Sequence, residues 1–145
     1  MLFRSGIMLY GFWSSIEVFI QYINNKPKKI DPLERILGWR SQIMSVKEVK
    51  SGEFVSYGIS YLAQTTIKTA LIPIGYSSGY SRSLSNKGHV LISGQRCNVI
   101  GVVNMNMIIA DISNLPDANV GDEVIIIGKQ GDLEIKVSEI GRAHV

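Results

Sequence analysis

The sequence predicts a mainly β protein, a small barrel or sandwich that follows the tail of an α/β unit. Three observations predict it. From Gly38 onward, short apolar runs recur between Gly, Asn, Asp and Pro signals, the spacing of an all-β fold. Before Gly38 there is one apolar run and one helix-periodic segment; alone these cannot make an α/β domain, because their apolar faces would have no partner. Finally, 145 residues at 46% hydrophobic and 19% charged suit one soluble domain with a core.

The elements follow in order. Gly6 to Tyr10 (GIMLY) reads as a short apolar strand of the kind buried in a parallel sheet, ended by Gly11. Ser14 or Ser15 caps a helix to about Asn24, with Ile16, Phe19, Ile20 and Ile23 on one face. NNKPKKIDP is a polar linker. RSQIMSVKEV is a strand with Ile43, Val46 and Val49 pointing inward. FVSYGISYLA and IKTALIPIGY are two more strands, and HVLISG, CNVIGVV, MIIADIS and EVIIIG complete the set. KSGE and GKQGD are turns.

Composition excludes several classes. The net charge of +3 is spread without a Lys/Arg block, unlike a nucleic-acid footprint. Cys97 is the only cysteine, so no intrachain disulfide forms, and with only His89 and His144 beside it no metal-ligand spacing appears. A reducing cytoplasm is the expected setting. GIMLYGFWSSIEVFIQYI is interrupted by Ser14, Ser15, Glu17 and Gln21, which argues against a signal peptide or a membrane span.

The two ends have a separate signature. One back-translation of a start followed by Leu2 to Ser5 is GTG CTC TTC CGA TCT, and one of Glu139 to Val145 is GAG ATC GGA AGA GCA CAC GTC; the nucleotide record tests both. The second contains the reverse complement of the first, and both look like a short-read sequencing adapter. The expectation is that 1–5 and 139–145 are adapter-derived and flank a gene fragment of about Gly6 to Ser138.

Within that fragment, SGIMLYG, VKEVKSGEFVSYGISYLA, IPIGYSSGYSRSLSNKGHVLISGQ, VIGVVNMNM and LPDANVGDEVIIIGKQGD stand in one order. In that order they resemble the alanine racemase family, pyridoxal 5'-phosphate (PLP) enzymes of bacterial cell-wall metabolism that interconvert L- and D-alanine. The resemblance implies that 6–37 is the end of a PLP-binding (β/α)8 barrel plus a linker, and 38–138 the C-terminal β domain. It also implies a homodimer and a small amino-acid substrate, with no nucleic-acid or membrane partner.

The resemblance assigns roles residue by residue. Backbone N–H groups at Gly6 and Ile7 match those holding the PLP phosphate; glycine admits close approach, and N–H donors suit a dianion. Racemisation removes a proton from one face of the α-carbon and delivers one to the other, with PLP as electron sink. One base in the family is the lysine that carries PLP. The other is a tyrosine from the partner subunit's β domain, which matches Tyr61. By itself Tyr61 reads as a strand aromatic. As a base its phenol, ordinarily near 10, has to be lowered by groups of the barrel domain. Tyr76 matches a tyrosine at the inner neck of the substrate passage, and Arg82 a charged residue farther out; a strand-end aromatic and a solvated loop arginine are the plainer readings. The backbone N–H at Met105 matches a donor to the substrate carboxylate. Tyr57 and Tyr80 read as structural.

The departures from the family pattern are local. Asn104 and Asn106 replace the usual cysteine and aspartate of NMN, Val102 a frequent arginine, and Ser77-Ser78 a usual Ala-Asp. Asn106, matched to a substrate-binding position, keeps an acceptor and adds a donor but loses the charge, which alters the active-site proton balance; together these departures open serine, or another amino acid, beside alanine as substrate. Arg4 matches an arginine facing the PLP ring, a coincidence if the end is adapter. No segment resembles the surroundings of the PLP lysine, and Lys26, Lys28 and Lys29 of the linker are no substitute, so the isolated chain is expected neither to bind PLP tightly nor to racemise. The alternatives are a free-standing β-barrel binding module and a PLP-binding regulator or inactive homologue.

Overall fold

The computed structural model describes residues 6–56 and 59–141. Arg4, Tyr57 and the end segments 1–5 and 142–145 lie outside the described residues. The chain forms two compact units, Met1–Leu37 and Gly38–Val145.

In the first unit, Gly6–Tyr10 is a 3-10 helix with every residue exposed. This corrects the expected strand. A fully apolar strand is held by neighbours on both sides, and the unit supplies none. Helix α1 spans Ile16–Asn24, and Ser15 is its N-cap: its Oγ accepts the Val18 N–H at 3.4 Å. The anticipated apolar face forms only in part. Phe19 and Ile23 are half-buried, whereas Ile16 and Ile20 are exposed. Trp13 stacks obliquely on Phe19 and Tyr22 at 5.5 and 5.1 Å and donates to Asp31 Oδ1 at 2.9 Å, tying the helix to the linker.

The second unit is mainly β, as expected. Its strands are β1 (Trp39–Gln42), β2 (Ser45–Val49), β3 (Phe54–Val55), β4 (Tyr61–Leu62), β5 (Ile67–Ile72), β6 (His89–Ile92), β7 (Gln95–Ile100), β8 (Ile108–Asp111), β9 (Glu123–Gln130) and β10 (Leu133–Ile135), followed by the short helix α2 (Val137–Gly141). One antiparallel sheet runs β1-β9-β6-β7-β8-β5-β2, with β10 added to β9; β3 and β4 pair separately. The two ends of this order are consecutive in sequence, so the sheet curls into a half-barrel. The single strand expected over RSQIMSVKEV is therefore two. At the handover the Ile43 N–H donates to Asp122 O and the Met44 N–H to Leu71 O, at 3.0 and 2.8 Å. Ile43 points inward as anticipated, while Val46 and Val49 are half-buried.

FVSYGISYLA is likewise not one strand. Ser56 and Ile59 hold positive φ of 71° and 54°, which breaks an extended run, and the segment folds back as β3 and β4. The strand expected to continue to Tyr76 stops at Ile72, before Pro73. Between β6 and β7, Ser93 and Gly94 both take positive φ, the two-residue turn that matches strand twist. β9 runs through much of the expected GKQGD turn, so the turn itself is Gly131-Asp132 and leads to β10. Helix α2 covers part of the tail, where Glu139 pairs with Arg96 at 2.9 Å. The main core gathers Ile43, Ile72, Tyr80, Ile92, Ile108 and Ile126 between the sheet walls. A smaller cluster of Val55, Ala63, Ile67 and Ile100 lies under the β3–β4 arm.

Candidate functional site

Tyr61 opens β4 opposite Val55, and its half-buried ring packs on the smaller cluster. The arm that carries it is fixed at its base: Gly52 N–H donates to Ala63 O at 2.8 Å, and Ala63 N–H to Glu53 O at 2.9 Å. It is also fixed near its bend. Gly101 ends β7 with φ +77°, and a Cβ there would stand 2.6 Å from Ser56 Cβ. Glycine is thus required both by the left-handed backbone and by the close approach. Ser56 Oγ donates to Val102 O at 3.2 Å. Asn86 joins from the other side: its Nδ2 donates to Ser60 O at 3.1 Å, and its Oδ1 accepts the Gly101 N–H at 2.6 Å.

A second group forms around Gly75. Tyr76 begins a 3-10 turn, Tyr76–Ser78, whose first N–H groups bond to the loop after Val103. Tyr76 N–H donates to Asn104 O at 3.1 Å and Ser77 N–H to Met105 O at 3.0 Å. The approach is close enough that a Cβ on Gly75 would lie 2.2 Å from Asn104 O and 2.5 Å from Met105 O. Ser77 Oγ reaches Met105 O at 2.7 Å and the Asn106 side-chain oxygen at 2.8 Å. The hydroxyl has one proton, which these two acceptors share. Two of the departures from the family pattern, Ser77 and Asn106, are therefore in direct contact.

The fold thus brings Tyr76, Met105 and Asn106 together through Ser77. All three are exposed. Arg82 starts the next 3-10 turn, Arg82–Leu84, and is exposed; Ser85 Oγ links that turn back, donating to Arg82 O at 2.5 Å and accepting the Val103 N–H at 2.9 Å. Gly6 and Ile7 belong to the other unit, exposed, with no atom within 4 Å of where a Gly6 Cβ would stand. Tyr80 is fully buried, edge-on to Trp39, and burial pushes its phenol up and keeps it neutral. A structural role suits it, and Gly88 leaves the room its hydroxyl occupies.

Sequence reasoning missed Gly75, Ser85, Asn86 and Gly101 as parts of the site, and named Ser77 as a departure from the family pattern without its contacts. The signals were present in GYSSGY and SLSNKG, whose small and amide residues favour tight turns. Among the described residues no three His, Cys, Asp or Glu gather as metal ligands, and no helix is long and apolar enough to cross a membrane.

The family model described as alanine racemase, C-terminal domain, matches residues 36–144. An alanine racemase of Halothermothrix orenii is 42% identical over 137 residues, covering 94% of this chain and 34% of the relative. Among solved structures, alanine racemase from Bacillus anthracis superposes with a TM-score of 0.80 at 30% identity, over 95% of this chain and 33% of that one. The alanine racemase of Bartonella henselae, solved with covalently bound pyridoxal phosphate, gives 0.76 at 27% identity, over 96% and 35%. The chain spans about a third of the length of the relatives it matches, and it belongs to the alanine racemase C-terminal domain family.

Proposed function

We propose that this chain is the C-terminal part of a PLP-dependent alanine racemase and that Tyr61 supplies one of its two bases. The observation that carries the reading is Tyr61 itself: a half-buried tyrosine on a two-strand arm anchored at base and bend, in a chain of this family. Alanine is the proposed substrate, because the relatives are alanine racemases. The proposed assembly is a homodimer in which each site takes Tyr61 from the other chain. A reducing cytoplasm suits the free, buried Cys97.

The residues fit part of a PLP site. Gly6 and Ile7 offer backbone N–H donors in open surroundings, which suits a phosphate and nothing more of the cofactor. PLP, when bound, supplies a sink for negative charge at the α-carbon. The chain's own residues do the rest. Tyr61 Oη takes or returns a proton on one face of that carbon. The Met105 N–H holds the carboxylate, and Asn106, whose side-chain oxygen accepts from Ser77 Oγ, stands beside it. Tyr76 and Arg82 line the way in.

Two measurements test this. In the full-length protein, Tyr61→Phe is expected to lower racemisation on the order of a hundredfold or more while PLP still binds; racemisation at the wild-type rate would overturn the role of Tyr61. Titrated with PLP, the 145-residue chain is expected to leave the cofactor spectrum unchanged, because Lys26, Lys28 and Lys29 stand in the linker.

A further inference from the structure

We infer that Asn86 is a positioning residue for Tyr61. The inference rests on the reading of Tyr61 as a base and goes beyond it, by naming a side chain outside the arm that sets its approach. Tyr61 lies on a strand of only two residues, and such a strand does not hold a side chain in place by its ladder alone. The bend before it includes Ile59 at positive φ and exposed. On the Tyr61 side, the bend is held by a side chain from a distant turn. Asn86 Nδ2 donates to the carbonyl of Ser60, the residue immediately before Tyr61. Its Oδ1 accepts from Gly101 N–H at 2.6 Å, and its own N–H donates to Gly101 O at 3.2 Å. Asn86 is thus locked to the end of β7 by two bonds and reaches the Tyr61 arm with the third.

The backbone supports this arrangement. Asn86 has φ +58°, a conformation that asparagine tolerates better than most residues, and one that aims both ends of its amide at the neighbouring turns. The other end of the bend is tied to the same place, through Ser56 Oγ and Val102 O. Both flanks of the bend therefore answer to the Gly101–Val102 turn. Among the described residues, the Asn86 side-chain bond acts on the Tyr61 side. Loss of that bond frees Ser60 and lets the phenol drift relative to the α-carbon. Misplacement of about 1 Å costs on the order of a hundredfold in a positioned proton transfer.

The test separates positioning from stability. It uses the full-length protein, alanine in deuterated water, and the ratio of solvent exchange without inversion to racemisation. This ratio does not depend on how much enzyme is folded. The enantiomer whose α-proton faces the lysine loses it to that base; if Tyr61 cannot deliver a deuteron on the opposite face, the lysine returns one and the substrate comes back exchanged but unconverted. Two variants are compared with Tyr61→Phe. Asn86→Gly keeps the left-handed backbone and removes both side-chain bonds. Asn86→Asp keeps the acceptor for Gly101 and removes the donor to Ser60. Both are expected to raise the ratio about tenfold or more, in the direction of Tyr61→Phe, with PLP binding retained. A raised ratio in Tyr61→Phe together with a wild-type ratio in both Asn86 variants overturns the role of Asn86 and leaves Tyr61 standing. A wild-type ratio in Tyr61→Phe overturns the reading beneath it.

Discussion

The two units make opposite use of similar apolar content. In the unit beginning at Gly38, inward residues such as Ile72, Ile92 and Ile126 are completely buried. Among the described residues of the first unit only Gly11 is buried, and Ile7, Leu9, Ile16 and Ile20 are exposed. The first unit nevertheless has sound local signals: an N-cap serine, an apolar stripe, and a polar linker tied back by Asp31. The difference teaches that local signals specify an element, while burial requires a partner surface. The curled sheet provides its own partner, because its edges meet at Ile43.

The largest expected effect tests that difference directly. Ile126→Ala removes a fully buried side chain from the main core and is expected to cost about 2–5 kcal/mol. Ile20→Ala removes one that is half-exposed and is expected to stay within about 0.5 kcal/mol. Urea unfolding followed by amide exchange reads both, with the β9 amides reporting Ile126→Ala and the α1 amides Ile20→Ala. Equal losses would break the comparison.

What was legible in the sequence follows the same division. Strands β6, β8 and β9 were readable because each carries an apolar run closed by Gly or Asp, whereas β7 begins two residues before the expected CNVIGVV and stops at Ile100, before Gly101. The cap was readable to within Ser14 or Ser15, of which the structure uses Ser15, because capping depends on a few adjacent residues. The split of RSQIMSVKEV was not readable, since it depends on Asp122 and Leu71, which bond Ile43 and Met44 from opposite edges of the sheet. The GIMLY strand was misread because its apolarity indicates burial without providing the neighbours. In the site, Tyr61, Tyr76 and Met105 came from the family resemblance. Asn86, Ser77 and Gly101 act through contacts to residues 15 or more positions away, so the local turn signals mark the turns but not their partners.

A smaller effect, confined to the second unit, comes from Cys97. Burial, helped by the Asp111 carboxylate, pushes its thiol up to about 11 from 9.0. The folded chain then keeps a proton that the unfolded chain releases. The stabilisation from the neutral thiol is fully present below pH 9.0 and is lost as pH rises toward about 11. With solvent screening allowed for, the loss is on the order of 1 kcal/mol. Urea midpoints at the two ends of this window, for wild type and Cys97→Ala, isolate it. Wild type is expected to lose more than the variant, and an identical slope would remove Cys97 from the account.

The smallest effect belongs to the first unit and asks how local its helix is. Ser15 Oγ accepts the Val18 N–H at 3.4 Å, a long bond near the limit of useful geometry. Ser15→Ala should therefore cost about 0.5 kcal/mol, at the low end for a lost N-cap. Half a kilocalorie corresponds to about a twofold change in an opening equilibrium. Amide exchange is sensitive enough to see this, and it assigns the change to residues. Faster exchange is expected across Phe19 to Ile23, with the β6 and β9 amides unchanged. A helix whose stability came from buried packing would absorb the loss of a cap in a larger total. One with no buried residue has little besides its cap and its own hydrogen bonds, so a small cost at Ser15 is felt along its whole length.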